Sequence, residues 1–205
     1  MLLLTNIRKP TTYIFVCFLL SLLIPLLANA SEVEEGQRLY KLGRYEEALD
    51  VWLKGAEAGD SKAAYKLALV YEDGIVIQKD FKVSRQWFRI AADRGHPAAQ
   101  FEIGSIYDFG VGVPVEPQIA ADWYMRAALQ GYDAAEYNLA TFYETGTGVP
   151  KDTIEAYKLF ILASDGSFAE LAAKGMERLK VQLDPIQLAE AERRAATFSP
   201  LTEGE

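Results

Sequence analysis

Apolar residues along most of the chain recur at the spacing of one helical face, and a glycine closes each run. Ala135, Leu139, Phe142 and Tyr143 fall on one such face, and Gly146 follows three residues after the last of them. Glycine adopts the left-handed conformation that ends helices. No stretch alternates apolar and polar residues over the length of a strand. The pattern therefore predicts an all-α protein.

This helical pattern returns with a period of 36 residues. Tyr71, Tyr107 and Tyr143 each precede a glycine by three residues. The same register holds small residues at Ala63, Ala99 and Ala135 and large ones at Trp87, Trp123 and Leu159. Such a period predicts a solenoid of stacked helix-turn-helix units, here residues 61–96, 97–132 and 133–168. In the third unit, Asp152 followed by Glu155 predicts a capping box at the second helix.

The units are flanked by weaker versions of the same pattern. Residues 33–60 form a shorter unit in which the connector between the two helices is nearly absent. Residues 169–198 predict two capping helices, the second with a polar outer face that suits the open end of a solenoid. We expect residues 199–205 to be a frayed tail.

The first thirty residues have the layout of a secretory signal peptide. Arg8 and Lys9 precede an uncharged run over residues 13–27, and Ala28-Asn29-Ala30 follows as a small-x-small cleavage pattern. An acidic segment begins immediately afterwards. We expect cleavage after Ala30 and export to the periplasm or the medium, with an uncleaved anchor as the alternative.

The amino-acid composition argues against several classes of function. The chain has 21 Lys and Arg against 29 Asp and Glu, for a formal net charge of −8. Loss of Arg8 and Lys9 with the signal peptide takes this charge to −10, which argues against a nucleic-acid partner. Cys17 is the only cysteine and His96 the only histidine. We therefore expect no disulfide, no metal centre, no cofactor and no imidazole-based catalytic triad.

The full units resemble Sel1-like repeats, which are relatives of the tetratricopeptide repeat. The matching stretches are residues 98–114 (AAQFEIGSIYDFGVGVP) and 121–131 (ADWYMRAALQG), and the run LGRYEEA at 42–48 resembles the tetratricopeptide form. The first connector departs from the pattern at Val76 and Gln78. The resemblance implies a right-handed superhelix that serves as a protein-interaction scaffold. It also implies that exported members regulate or assemble envelope systems. A cysteine-rich secreted branch of the family has been associated with β-lactam binding, and the absence of cysteine after residue 30 argues against that branch.

Several side chains allow a chemical as well as a structural interpretation. His96, between Gly95 and Pro97, is either a general base or a capping loop residue. The acidic positions Glu72, Asp108 and Glu144 recur in register, and form either a groove for a cation or a basic partner or a solvated edge. The aromatic series Tyr65, Phe101 and Tyr137 is either a peptide-gripping stripe or packing between units.

Positions that do not repeat are the better candidates for specificity, because packing between units does not determine them. Phe109 is the clearest case, since its equivalents are Asp73 and Thr145. The candidate partner-binding residues on the first helices are Glu102, Ser105, Asp108, Phe109, Asn138, Thr141 and Thr145.

The sequence thus predicts an exported, non-enzymatic scaffold or adaptor. Its partner is expected to be another envelope or secreted protein, bound on the concave surface, with a basic patch that complements the acidic chain. The alternative is a cell-wall carbohydrate-binding protein or hydrolase that uses the acidic edge.

Overall fold

The computed structural model describes residues 32–202. The expected signal peptide, residues 1–30, lies outside the described residues. The chain divides into two compact units at residues 58 and 59. No helix between residues 32 and 202 is long and apolar enough to cross a membrane.

The first unit contains two helices, α1 (residues 32–41) and α2 (Tyr45–Glu57). Trp52 of α2 is 2% exposed, and its ring lies 5.6 Å from that of Tyr40 on α1. The indole Nε1 donates to the carbonyl oxygen of Val33 at 3.4 Å. One large aromatic side chain therefore holds this short unit together.

The second unit is an all-α solenoid of eight helices within residues 59–202, and from α3 to α9 each helix packs on its neighbours along the chain. Their bounds are α3 (Ser61–Asp73), α4 (Phe81–Asp93), α5 (Pro97–Phe109), α6 (Pro117–Leu129), α7 (Asp133–Thr145), α8 (Thr153–Ala163), α9 (Ala169–Lys180) and α10 (Pro185–Ala196). The last helix, α10, packs back on α8. Three helix pairs are thus followed by two further helices at the C-terminal side.

The same local contacts define each repeat. The first helices end at Gly74, Gly110 and Gly146, all in the left-handed conformation. Each connector then folds back through one backbone hydrogen bond of 2.9–3.0 Å: Asp80 to Tyr71, Glu116 to Tyr107 and Asp152 to Tyr143. The first connector makes this bond as well, although Val76 and Gln78 depart from the sequence pattern. Its path is therefore set by backbone hydrogen bonding and the helix stop.

Aspartate side chains cap four of the helices, α3, α4, α8 and α10. Asp152 accepts from two backbone N–H groups of α8, as the sequence predicts. The predicted capping box is not complete, because the Glu155 carboxylate accepts from Lys158 Nζ at 2.8 Å instead. A full capping box forms at α10 between Asp184 and Gln187.

The core of each repeat is a cluster of three rings. The first-helix ring lies 5.6–5.8 Å from an aromatic ring of the second helix and 4.4–5.3 Å from a ring at the following loop. The three clusters are Tyr65–Phe88–His96, Phe101–Tyr124–Tyr132 and Tyr137–Phe160–Phe168. The recurring aromatic series therefore serves packing within and between repeats.

Part of the C-terminal tail lies against the solenoid. The Leu201 N–H donates to the carbonyl oxygen of Leu129 at 2.9 Å, and Pro200 lies beside Gly131. Residues 199–202, which the sequence suggests are frayed, are held at this point.

Candidate partner-binding site

The seven candidate residues lie on α5 and α7, the first helices of the second and third repeats. We define the first-helix surface as the side chains of α3, α5 and α7 that remain at least partly exposed. Every candidate residue is partly or fully exposed, and none belongs to the buried core. The structure gives these residues three different roles.

Three of the candidates converge on one buried hydroxyl group. Tyr124 of α6 is fully buried, and its hydroxyl lies 3.2 Å from Ser105 Oγ and donates to Asp108 Oδ2 at 3.2 Å. The Asn138 side chain also interacts with this hydroxyl. The equivalents of Tyr124 are Phe88 and Phe160, which carry no hydroxyl. Ser105 and Asp108 therefore satisfy an internal polar group that, among the three repeats, only the second possesses.

Two threonine candidates bond to their own helix. Thr141 Oγ1 donates to the carbonyl oxygen of Asn138 at 2.7 Å, and Thr145 Oγ1 donates to that of Thr141 at 2.8 Å. Thr145 Oγ1 also lies 2.8 Å from Thr147 Oγ1 in the connector. These hydroxyl groups are already engaged, which leaves them little directional hydrogen bonding for a partner.

Phe109 differs from the other candidates because its side chain is 73% exposed at the C-terminal end of α5. An aromatic ring in water at a helix end does not contribute to the core. Its repeat equivalents, Asp73 and Thr145, are polar residues. Phe109 is therefore the candidate most available for contact with another molecule.

Glu102 is a half-buried carboxylate on the same helix. Burial and, to a smaller extent, the nearby charge of Glu72 raise its pKa to about 7. Burial and the Glu102 charge together raise the pKa of Tyr65 to about 12. The same two causes raise the pKa of Tyr132. No ion pair to Glu102 forms within the described part of the chain. Glu102 thus presents a poorly solvated acid beside two aromatic rings.

The acidic positions that recur in register do not behave as one group. Glu144 is bound by Arg178 of α9 through two hydrogen bonds of 2.8 and 3.1 Å. The Asp108 carboxylate accepts a hydrogen bond from the Tyr124 hydroxyl, and burial raises the pKa of Asp108. Among residues 32–202 no group of three His, Cys, Asp or Glu side chains is placed to hold a metal ion. The Glu144 carboxylate is committed to joining α7 to α9.

His96 is the N-cap of α5. Its Nδ1 accepts from the Ala99 N–H at 3.3 Å, and the imidazole stacks on Tyr65 with ring centroids 4.4 Å apart. Both contacts agree with the capping interpretation of this residue. Because Nδ1 accepts from the backbone, it is not free to act as a base.

Sequence reasoning missed a buried acid at the next repeat junction. Glu136 of α7 is only 4% exposed, and burial and the charge of Asp133 raise its pKa to about 7. Its carboxylate accepts no hydrogen bond within the described residues. The available signal was the change from Ala64 through Gln100 to Glu136 at one register position, next to an invariant alanine.

The equivalent Gln100 is fully accommodated. Its Nε2 donates to the Ala92 carbonyl oxygen at 3.3 Å, and its Oε1 accepts from Gln130 Nε2 at 2.9 Å. In the next repeat Gly166 occupies the position of Gln130. Glu136 therefore lacks the side-chain amide that donates a hydrogen bond to Gln100.

Comparison with protein families gives a match over the three repeats. The family model described as Sel1 repeat matches residues 61–96, 97–132 and 133–168. Comparison with proteins of curated function gives no match.

Two solved structures are similar to this chain. The Sel1 repeat protein from Oxalobacter formigenes is 33% identical, with a TM-score of 0.58, over 62% of this chain and 95% of that protein. The protein c5321, a protective antigen present in uropathogenic Escherichia coli strains that displays an SLR fold, is 26% identical, with a TM-score of 0.58. That match covers 83% of this chain but only 45% of c5321.

Proposed function

The chain belongs to the Sel1 repeat family, and from that premise we propose that it is an exported, non-enzymatic adaptor that binds a partner protein through its first-helix surface. Sel1 repeat proteins generally mediate protein–protein interactions, and the scaffold is typically non-enzymatic. The partner that we propose is another envelope or secreted protein, since the first thirty residues have the layout of a signal peptide.

Phe109 is the observation that carries this proposal. A phenyl ring that is 73% exposed lowers its free energy when a partner removes it from water. Repeat packing does not require the ring, because the equivalent positions hold Asp73 and Thr145. We therefore assign Phe109 as the apolar anchor of the interface.

Glu102 supplies the second element of recognition. Its carboxylate lies on the same helix about two turns before Phe109, and it is half-buried without an ion pair among the described residues. A lysine or arginine of the partner beside Glu102 compensates the cost of burying this charge. The partner surface that fits is an apolar pocket or side chain next to a cationic group.

The test is affinity capture from an envelope extract with the chain from residue 31 to 205 and its Phe109→Ala variant. We expect a protein that the parent chain retains and the variant loses, with affinity reduced at least about fivefold. Val181→Ala is the matched control, because Val181 is 86% exposed and lies at the C-terminal end of α9. Far-ultraviolet circular dichroism verifies that helicity is unchanged.

Two results would contradict the proposal. Equal retention of the partner by Phe109→Ala removes the first-helix surface from the interface. Capture of glycan fragments that survives Phe109→Ala and is lost on Asp108→Asn and Glu144→Gln supports the carbohydrate-binding alternative. Export is tested separately, by N-terminal sequencing of the secreted chain, which we expect to begin at Ser31.

A further inference from the structure

A groove runs along the seam between α4 and α5, and none of the seven candidate partner-binding residues lines it. Two cavities, of about 360 and 440 Å³, follow this seam and share Arg85 as a lining residue. We call them together the α4–α5 groove. Its walls are formed by α4 on one side and by α5 with the following connector on the other.

The interior and rim of the groove are apolar. Phe88 and Ile103 line it and are 1% and 2% exposed. At the connector end, Phe81 and Val111 also line it and remain 55% and 51% exposed. A ligand that covers this end therefore removes two large apolar side chains from water.

One wall carries a stripe of positive charge. Lys82, Arg85 and Arg89 are spaced three and four residues apart on α4, so they lie on one face of the helix along about 10 Å. The Arg85 guanidinium is held in place by the carbonyl oxygens of Gly112 at 2.9 Å and Val111 at 3.4 Å, which leave its charge uncompensated. Lys82 forms no ion pair within residues 32–202.

The remaining acids near the groove do not cancel this stripe. Arg89 pairs with Asp93 through two contacts of 2.9 Å, but the pair is exposed and exchanges readily with another carboxylate. Glu72 is the acid that lines the groove, and burial raises its pKa. The α4–α5 groove is thus a basic surface on a chain whose formal net charge is −8.

Repeat packing does not account for the basic stripe. At the following seam, between α6 and α7, the equivalent positions are Gln118, Ala121 and Met125. In the third repeat they are Ile154, Tyr157 and Ile161. All three repeats form the same fold, so the three basic residues of α4 are not needed for it.

We propose that the α4–α5 groove binds an acidic, amphipathic peptide segment of a partner protein. Apolar side chains of the segment enter beside Phe81, Phe88 and Val111, and its carboxylates face Lys82, Arg85 and Arg89. A free inorganic anion fits the groove poorly, because most of its lining is apolar. Because the two adjoining cavities are both lined by α4, a helix or extended strand laid along α4 can occupy them.

The experiment uses the chain from residue 31 to 205 and a fluorescein-labelled synthetic helical peptide with leucines on one face and glutamates beside them. Fluorescence anisotropy measures binding at low and high salt. A second peptide with lysine in place of every glutamate is the specificity control. We expect saturable binding of the glutamate peptide only, weakened by salt.

Charge reversal locates the site. We expect Lys82→Glu and Arg89→Glu each to weaken binding by about tenfold or more, because like charges then face the peptide. Lys180→Glu is the matched control, since Lys180 is an exposed lysine at the end of α9, away from the groove, and makes the same change in net charge. We expect it to leave binding unchanged.

The proposal is wrong if the glutamate peptide does not bind, if the lysine peptide binds equally well, or if Lys180→Glu weakens binding as much as Lys82→Glu. Sedimentation of the chain alone adds one further test. Self-association that disappears in Lys82→Glu would assign the groove to a second copy of this chain and overturn the proposed occupant.

Discussion

Replacement of the buried acid Glu136 by glutamine tests the electrostatics of the repeat junction. The side chain is 4% exposed, and its carboxylate accepts no hydrogen bond among residues 32–202. Glutamine has nearly the same shape without the charge. In the equivalent Gln100, Nε2 donates to the Ala92 carbonyl oxygen, and the residue at the corresponding position of the next repeat is Ala128. We therefore expect Glu136→Gln to stabilise the fold at neutral and alkaline pH.

The magnitude follows from the pKa. The folded-state pKa of about 7 lies above the ordinary value of 4.5, and the difference corresponds to about 3 kcal/mol as an upper limit. Because the folded state binds the proton more tightly, the free energy of unfolding falls as pH rises between these two values and is level above the higher one. The stabilisation by glutamine should be largest above about pH 7 and vanish below about pH 4.5.

The assay is urea unfolding followed by circular dichroism, with parent and variant compared at about pH 8 and about pH 4.5. Glu177→Gln on α9 is the control, because Glu177 is exposed. The converse variant, Gln100→Glu, should lose stability more strongly at the higher pH. If Glu136→Gln shifts stability equally at both pH values, or destabilises the fold at the higher one, the reasoning from desolvation is refuted.

Two further predictions concern the connector and the buried hydroxyl group. Gly148→Ala should cost at least about 2 kcal/mol more in urea unfolding than Gly59→Ala. Both glycines have positive φ, but a Cβ at Gly148 would overlap the Pro117 carbonyl oxygen, whereas at Gly59 it meets nothing within 4 Å among the described residues. Equal costs would contradict this. Tyr124→Phe should cost only about 1 kcal/mol, since Phe88 occupies the equivalent position and the polar partners of the hydroxyl can bind water; a thermal midpoint lowered by more than about 8 °C would show a larger role.

The periodic features of the fold were predictable from the amino-acid order. Helical spacing, the glycine after each tyrosine and the aspartate before the last repeat's second helix, Asp152, are local signals, each read from a few neighbouring residues. They predicted the all-α solenoid and the Sel1-like family, which the helices and the family match confirm. Because the pattern occurs three times, a local exception such as Val76 and Gln78 in the first connector does not change the prediction.

The roles of the candidate site residues could not be read from the same pattern. Non-repetition marked positions that repeat packing does not determine, but it did not distinguish an exposed side chain from one with an internal partner. Asp108 and Asn138 looked available because their partner, the Tyr124 hydroxyl group, comes from another helix. Phe109 is a candidate on the same sequence criterion, but in the structure its side chain is exposed to solvent.

The amino-acid order alone therefore specifies the helices, their period and the stacking of the repeats, because these follow from short-range preferences and from faces that must be buried. Only the tertiary structure decides which charges are paired, buried or free. Glu144 pairs with Arg178 from another helix, the Glu136 side chain is buried without a hydrogen bond among residues 32–202, and Arg85 donates to carbonyl oxygens of the next connector. Each outcome depends on the side chains that a distant segment brings to within a few ångströms, where desolvation and Coulomb energy act.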